Sequence, residues 1–198
     1  MYAAVRSEVS FAIDFVEWPP YNGERSYAEV AQRIIAENNI EDGDIEGGSS
    51  LGGMIALEIA RQKRLKAVVL IGSATSTDEI QSLLALLSPI AAVTPISLVQ
   101  ILVGKYDNIR SNMFAKADVE FIRAMCIYLS KWQGCQGSQA RLFRLHGQKD
   151  KVIACPDTDC EIVPNAGHIL AITHPKECGA FLNSVNHCLI TTEQPCPL

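Results

Sequence analysis

Ser50 is the residue with the clearest chemical promise in this sequence. It stands in Gly48-Ser49-Ser50-Leu51-Gly52, a G-x-S-x-G pattern, with Gly53 directly after it. A serine hydroxyl attacks a carbonyl carbon when a base takes its proton and the backbone presents it to the substrate. The pattern meets the second need: the serine sits on a sharp strand-to-helix turn, and the flanking glycines leave room where a Cβ would strike the neighbouring strand and helix. Such a turn also aims a helix N-terminus, and here the backbone N–H of Leu51, at the oxyanion that forms on attack. The competing reading is a Gly/Ser-rich turn ahead of a helix, binding a phosphate. No P-loop lysine follows the turn and the spacing is not G-x-G-x-x-G, so the elbow is the preferred reading.

The elements around the turn support it. Residues 9–16 (VSFAIDFV) predict a buried strand, and Trp18-Pro19-Pro20-Tyr21-Asn22-Gly23 a loop. Ser26 and Glu29 form a potential capping box for a helix to about Asn38, with Tyr27, Val30, Ala31, Ile34 and Ile35 on its apolar face. A short strand over 44–47 leads into the turn, a helix over 51–62 leaves it, and 65–71 (LKAVVLI) predicts a fully buried strand. Residues 77–134 read as helices without a convincing strand, most clearly over 117–132, and are expected to form an inserted helical cap. Strands resume over 141–146 and 160–163, and a last helix is expected over 175–189. Alternating strands and helices imply an α/β fold with a mostly parallel sheet covered on both faces, and 1–198 is expected to be one domain carrying that cap.

Composition narrows the function classes. The chain has 198 residues, 48% hydrophobic and 20% charged, and a net charge of -5, which suits a folded globular protein and disfavours nucleic acid as a partner. The first residues lack the basic start, apolar run and cleavage site of a signal peptide. Residues 83–103 carry no charge, but Pro89 and Pro95 would break a lipid-exposed helix, so a greasy lid is expected there and no integral membrane span. The cysteines are Cys126, Cys135, Cys155, Cys160, Cys178, Cys188 and Cys196, odd in number and without a C-x-x-C pair. They are expected to be thiols in a reducing, cytoplasmic compartment, with no metal site.

With the elbow in place, the segment Ile45 to Ala74 resembles the strand–elbow–helix–strand block of the α/β-hydrolase family, and Asp14 to Tyr27 resembles the loop entering the preceding helix. The C-terminal third resembles the family's acid and histidine blocks, so the likeness covers most of the chain outside the cap. The family places its acid after an H-G-x-x-D such as His146-Gly147-Gln148-Lys149-Asp150, which implies Asp150 as the catalytic acid. Asp78 is the runner-up, with Asp157 and Asp159 behind it. Val163-Pro164-Asn165-Ala166-Gly167-His168 resembles the histidine loop, and His168 completes the chain order Ser, Asp, His. His146, His174 and His187 are expected to be structural or surface residues. The resemblance implies acyl transfer by Ser50, with His168 as base, Asp150 holding the imidazole, Leu51 N–H on the oxyanion, and no metal or organic cofactor.

The chain departs from the family before the elbow. An α/β-hydrolase core carries an earlier strand ending in an H-G loop, which supplies a second oxyanion N–H; no His-Gly precedes Ser50 here. Three expectations follow: an N-terminally shortened chain, a strand 9–16 that slides into the vacant slot so that 19–23 line the site, or a weakened relative. The functional expectation is a serine hydrolase cleaving a small carboxylic ester or thioester. The alternative is a catalytically weak or inactive binding module. An open sheet edge would also suit a homo-oligomer.

Overall fold

The computed structural model describes residues 2–80, 118–134 and 138–191. Four parallel strands form one sheet in the order β1 (Ile45–Ser49), β2 (Ala67–Ile71), β3 (Arg141–Gly147), β4 (Glu161–Val163). The register runs Ile45 opposite Ala67, Ala67 opposite Arg141, and Leu145 opposite Glu161. This is the expected α/β architecture, and β2, apolar at every position, is buried along its whole length between two helical layers.

One layer holds α2 (Tyr27–Asn38), α3 (Leu51–Gln62) and α4 (Val119–Leu129). Their apolar faces share a core with Val68 and Leu70, to which α4 contributes Phe121, Met125 and Leu129. The α2 cap forms at the predicted residues with its return arm one residue earlier: Glu29 N–H donates to Ser26 Oγ, while the Glu29 carboxylate accepts from Arg25 N–H and not from Ser26 N–H. The opposite layer holds α1 (Ala3–Arg6), α5 (Leu170–Thr173) and α6 (Pro175–Thr191), packed on Val69, Ile71, Phe143 and Leu145. The helix over 51–62 has its predicted bounds. The strand expected over 44–47 is longer and shifted, ending at Ser49 against the elbow.

Residues 9–16 are a correction. They form no strand and pair with none of the four strands. Val9, Phe11, Ile13 and Phe15 do alternate inward against the α6 layer, so the period-2 pattern correctly marks an extended, half-buried segment. Its polar partners come from a helix instead: Ser10 N–H and Oγ–H both donate to Asn183 Oδ1 at 2.8 Å, and Asn183 Nδ2 donates to the Glu8 carbonyl. Strand 9–16 therefore does not slide beside β1, which is the outer strand among the described residues. The apolar run 83–103 and most of the cap expected over 77–134 lie outside the described residues, as do Cys135 and Cys196. Cys126, Cys155, Cys160 and Cys178 are free thiols. No described helix is long and apolar enough to cross a membrane, and the described residues hold no cluster suited to a metal ion.

Candidate active site

The chain turns from β1 into α3 at a single residue, Ser50, whose φ of 53° and ψ of -123° lie where L-residues are strained. Three hydrogen bonds hold it there. Its N–H donates to Ile71 O at 3.1 Å, and its own carbonyl accepts from Gly53 N–H at 3.0 Å and Ser73 Oγ–H at 2.7 Å. The turn is tight because Gly48 lies against α3: a Cβ on Gly48 would fall 2.3 Å from Gly52 C. Gly52, the second elbow glycine expected from the motif, is different. A Cβ there would meet only Trp18 Cζ2, at 3.9 Å. The close approach on the helix side belongs to Gly53, where a Cβ would lie 2.4 Å from Ser73 Oγ and 2.9 Å from Leu70 Cδ2.

The side chains of Ser50, His168 and Asp150, far apart in the sequence, meet at the carboxyl ends of β1, β3 and β4. Ser50 Oγ lies 2.8 Å from His168 Nε2, and His168 Nδ1 lies 2.8 Å from Asp150 Oδ2. An ionised carboxylate only accepts, so the hydrogen of a neutral His168 ring sits on Nδ1 and Nε2 is left to accept from the serine hydroxyl. Asp150 and His168 are both buried. Burial alone would raise the Asp150 pKa. Hydrogen bonds from His146 and His168, the charge of His168 and the Val152 N–H outweigh it, and hold the carboxyl well below the ordinary range. Asp150 Oδ1 accepts from Val152 N–H at 2.8 Å and Ile153 N–H at 3.1 Å, which fixes the carboxylate plane.

Two loops are laced together to bring the acid and the imidazole into register. Gln148 N–H donates to Val163 O at 3.1 Å and Lys149 N–H to Ala166 O at 2.8 Å. Gly147 makes this possible, since a Cβ on it would lie 2.5 Å from Gly167 O and 2.7 Å from Ala166 O. Leu51 occupies the first position of α3, where the N–H has no acceptor one turn back within the helix. Trp18 leads the loop over 18–23 to this end of the sheet, its ring stacked at a tilt on buried Phe121, 5.3 Å between centroids.

The other carboxylates weighed from the sequence lie away from His168. Asp78, in a short turn of helix at Thr77–Glu79, is exposed, as are Asp157 and Asp159. His187 is exposed, and His174 Nδ1 bonds the Thr173 hydroxyl. His146, expected to be a structural or surface residue, is buried beside the acid. It is 1% exposed, and its Nε2 stands 3.1 Å from Asp150 Oδ2. The signal was its position four residues before Asp150, at the end of a buried strand.

No family model matches the sequence and no curated protein matches it. Solved structures do. ClbQ from the colibactin NRPS/PKS pathway superposes with a TM-score of 0.64 at 15% identity, over 96% of this chain and 92% of that one. The N-acyl homoserine lactonase AidH, solved with N-butanoyl homoserine, gives 0.62 at 17% identity over 87% and 74%. A thermophilic esterase from Thermogutta terrifontis gives 0.61 at 14% identity over 96% and 85%. The parallel sheet, the strained serine turn and these neighbours agree: the chain has the α/β-hydrolase fold.

Proposed function

We propose that this protein is a serine hydrolase that cleaves a small carboxylic ester or thioester through an acyl-enzyme. The observation that carries the reading is the unbroken chain Ser50 Oγ, His168 Nε2, His168 Nδ1, Asp150 Oδ2, with 2.8 Å at each of its two links, ending on a serine in a strained turn. Ser50 Oγ bonds to the carbonyl carbon while His168 Nε2 takes its proton. The C–O or C–S bond to the leaving group then breaks as His168 returns that proton to it. Water, deprotonated by His168, attacks the acyl-enzyme, releasing the carboxylic acid and restoring Ser50. Asp150, kept ionised, stabilises the imidazolium in both halves, and the Leu51 N–H receives the oxyanion. Half-buried Trp18, beside Gly52 at the start of α3, favours an apolar or aromatic acyl group, and the free thiols suit a cytoplasmic setting. The chemistry calls for no cofactor.

The test is fluorophosphonate labelling of the 198-residue chain, read by intact mass, beside Ser50→Ala. One adduct on wild type and none on the variant is the expected result, followed by turnover of short p-nitrophenyl esters. A folded wild type that takes no adduct would sink the hydrolase reading and leave a binding module with the same fold.

A further inference from the structure

Asp150 Oδ2 faces two imidazoles. His168 Nδ1 lies 2.8 Å away and His146 Nε2 lies 3.1 Å away. His146 Nε2 is also 3.2 Å from the Ile153 carbonyl oxygen. A carbonyl oxygen and an ionised carboxylate both accept only, so the His146 Nε2 between them carries a hydrogen, and its positive end rests against the same oxygen that serves His168. Nothing about strand geometry demands a histidine here. Position 146 is completely buried, where an apolar residue would be the ordinary occupant.

We propose that His146 is a positioning residue for the Asp150–His168 pair. The inference rests on the hydrolase reading above. It holds Oδ2 on the His168 side of the carboxylate while the Val152 and Ile153 N–H groups hold Oδ1, so all the directions in which the acid could swing are tied. It also takes a share of the carboxylate's charge. With that share removed, Oδ2 attracts an imidazolium at 168 more strongly, and His168 keeps its proton to higher pH. A base that holds its proton at working pH is not available to Ser50. The titratable groups facing Asp150 are His146 on β3, His168 on the loop after β4 and, farther off, Cys155 on the loop after Asp150. Substitution at 146 leaves the latter two in place.

The experiment compares wild type with His146→Leu, which removes the donor, and His146→Gln, whose amide nitrogen reaches about as far as Nε2. Two readouts are followed against pH: the rate of fluorophosphonate labelling, and the imidazole titration of residue 168 by NMR. In His146→Leu the acid limb of the labelling profile and the residue-168 titration both move up by roughly half to one pH unit, a loss of about 3- to 10-fold in labelling rate on that limb. His146→Gln returns both toward wild type. If His146→Leu does not fold, His146→Asn takes its place, because its amide is too short to reach Oδ2. A residue-168 titration that stays at the wild-type value in the donor-less variant overturns the proposal, whatever happens to the rate. Absence of labelling in wild type removes the hydrolase reading, and the NMR titration still decides the role of His146.

Discussion

Gly147 and Gly167 touch backbone to backbone: the position where Gly147 would carry a Cβ lies 2.5 Å from the Gly167 carbonyl oxygen, one residue before His168. At this point the acid loop and the histidine loop are seated on each other through backbone alone. Gly147→Ala is expected to push the histidine loop away, with a loss of about 1–3 kcal/mol of stability and a larger loss of labelling than the stability change accounts for. Thermal unfolding and labelling rates on the same samples check this. Full labelling in a destabilised but folded Gly147→Ala would mean the two loops can separate without moving His168.

The strain at Ser50 predicts an unusual order of stabilities. Ser50→Ala keeps a Cβ at φ 53°, whereas Ser50→Gly relieves it. The glycine variant is expected to be the more stable of the two by about 1 kcal/mol, against the usual cost of glycine. Urea unfolding of both variants, neither of which should label, reads the difference. An alanine variant that is the more stable would show that the turn stores no strain.

The elbow glycines are unequal. Gly52→Ala makes an ordinary contact with Trp18 Cζ2 at 3.9 Å and is expected to be neutral, or to gain up to about 1 kcal/mol from helix propensity. Gly53→Ala drives its Cβ into Ser73 Oγ and Leu70 Cδ2 and is expected to lose about 1–3 kcal/mol. Melting temperatures for the pair give the comparison, and equal losses at both would contradict the packing described.

Glu46, on the outer strand β1, has its carboxyl pushed up from 4.5 to about 7, first by burial and then by the charge of Asp44. The neutral acid is the form the fold prefers. Its contribution is fully present below pH 4.5 and is lost as pH rises through about 7. Glu46→Gln should therefore match wild type near pH 4 and be more stable than wild type at pH 8, on the Gibbs–Helmholtz curves or in urea. A gap that does not widen with pH would contradict the burial of this carboxyl.

Asp150 behaves in the opposite sense. Its folded pKa lies below the ordinary 3.8, so its ionised form contributes stability above that value and loses it as pH falls toward the folded pKa. Asp150→Asn is expected to be less stable than wild type at pH 7, with the gap narrowing below pH 3.8. Its amide would also present a donor where His168 and His146 both need an acceptor, and labelling is expected to drop by about 10⁴. Unfolding at pH 3 and pH 7, with labelling at pH 7, measures both effects.

Much of the site was legible in the residues because the demands there are local. A nucleophile on a strand-to-helix turn needs small neighbours close on either side, and Gly48 to Gly53 states that need in one stretch of chain. The Ser26 cap of α2 and the unbroken apolar run of β2 are local statements of the same kind. Asp150 and His168 were reachable through the resemblance of their loops, and the structure brings both to Ser50.

What the residues could not state is who sits against whom at long range. The alternation Val9, Phe11, Ile13, Phe15 specifies an extended backbone with one buried face, and is silent on whether that backbone pairs with β1 or is tied by Asn183 on α6. Helices α1 and α5, four residues each, are too short to show a helical period at all. Gly52 and Gly53 are interchangeable as letters, and only the closeness of Ser73 decides which one must lack a side chain. His146 reads as a polar interruption at a strand's end. It becomes a partner of Asp150 because the chain after β3 folds back within four residues and closes a buried space in which the imidazole N–H finds its acceptors in Asp150 Oδ2 and the Ile153 carbonyl.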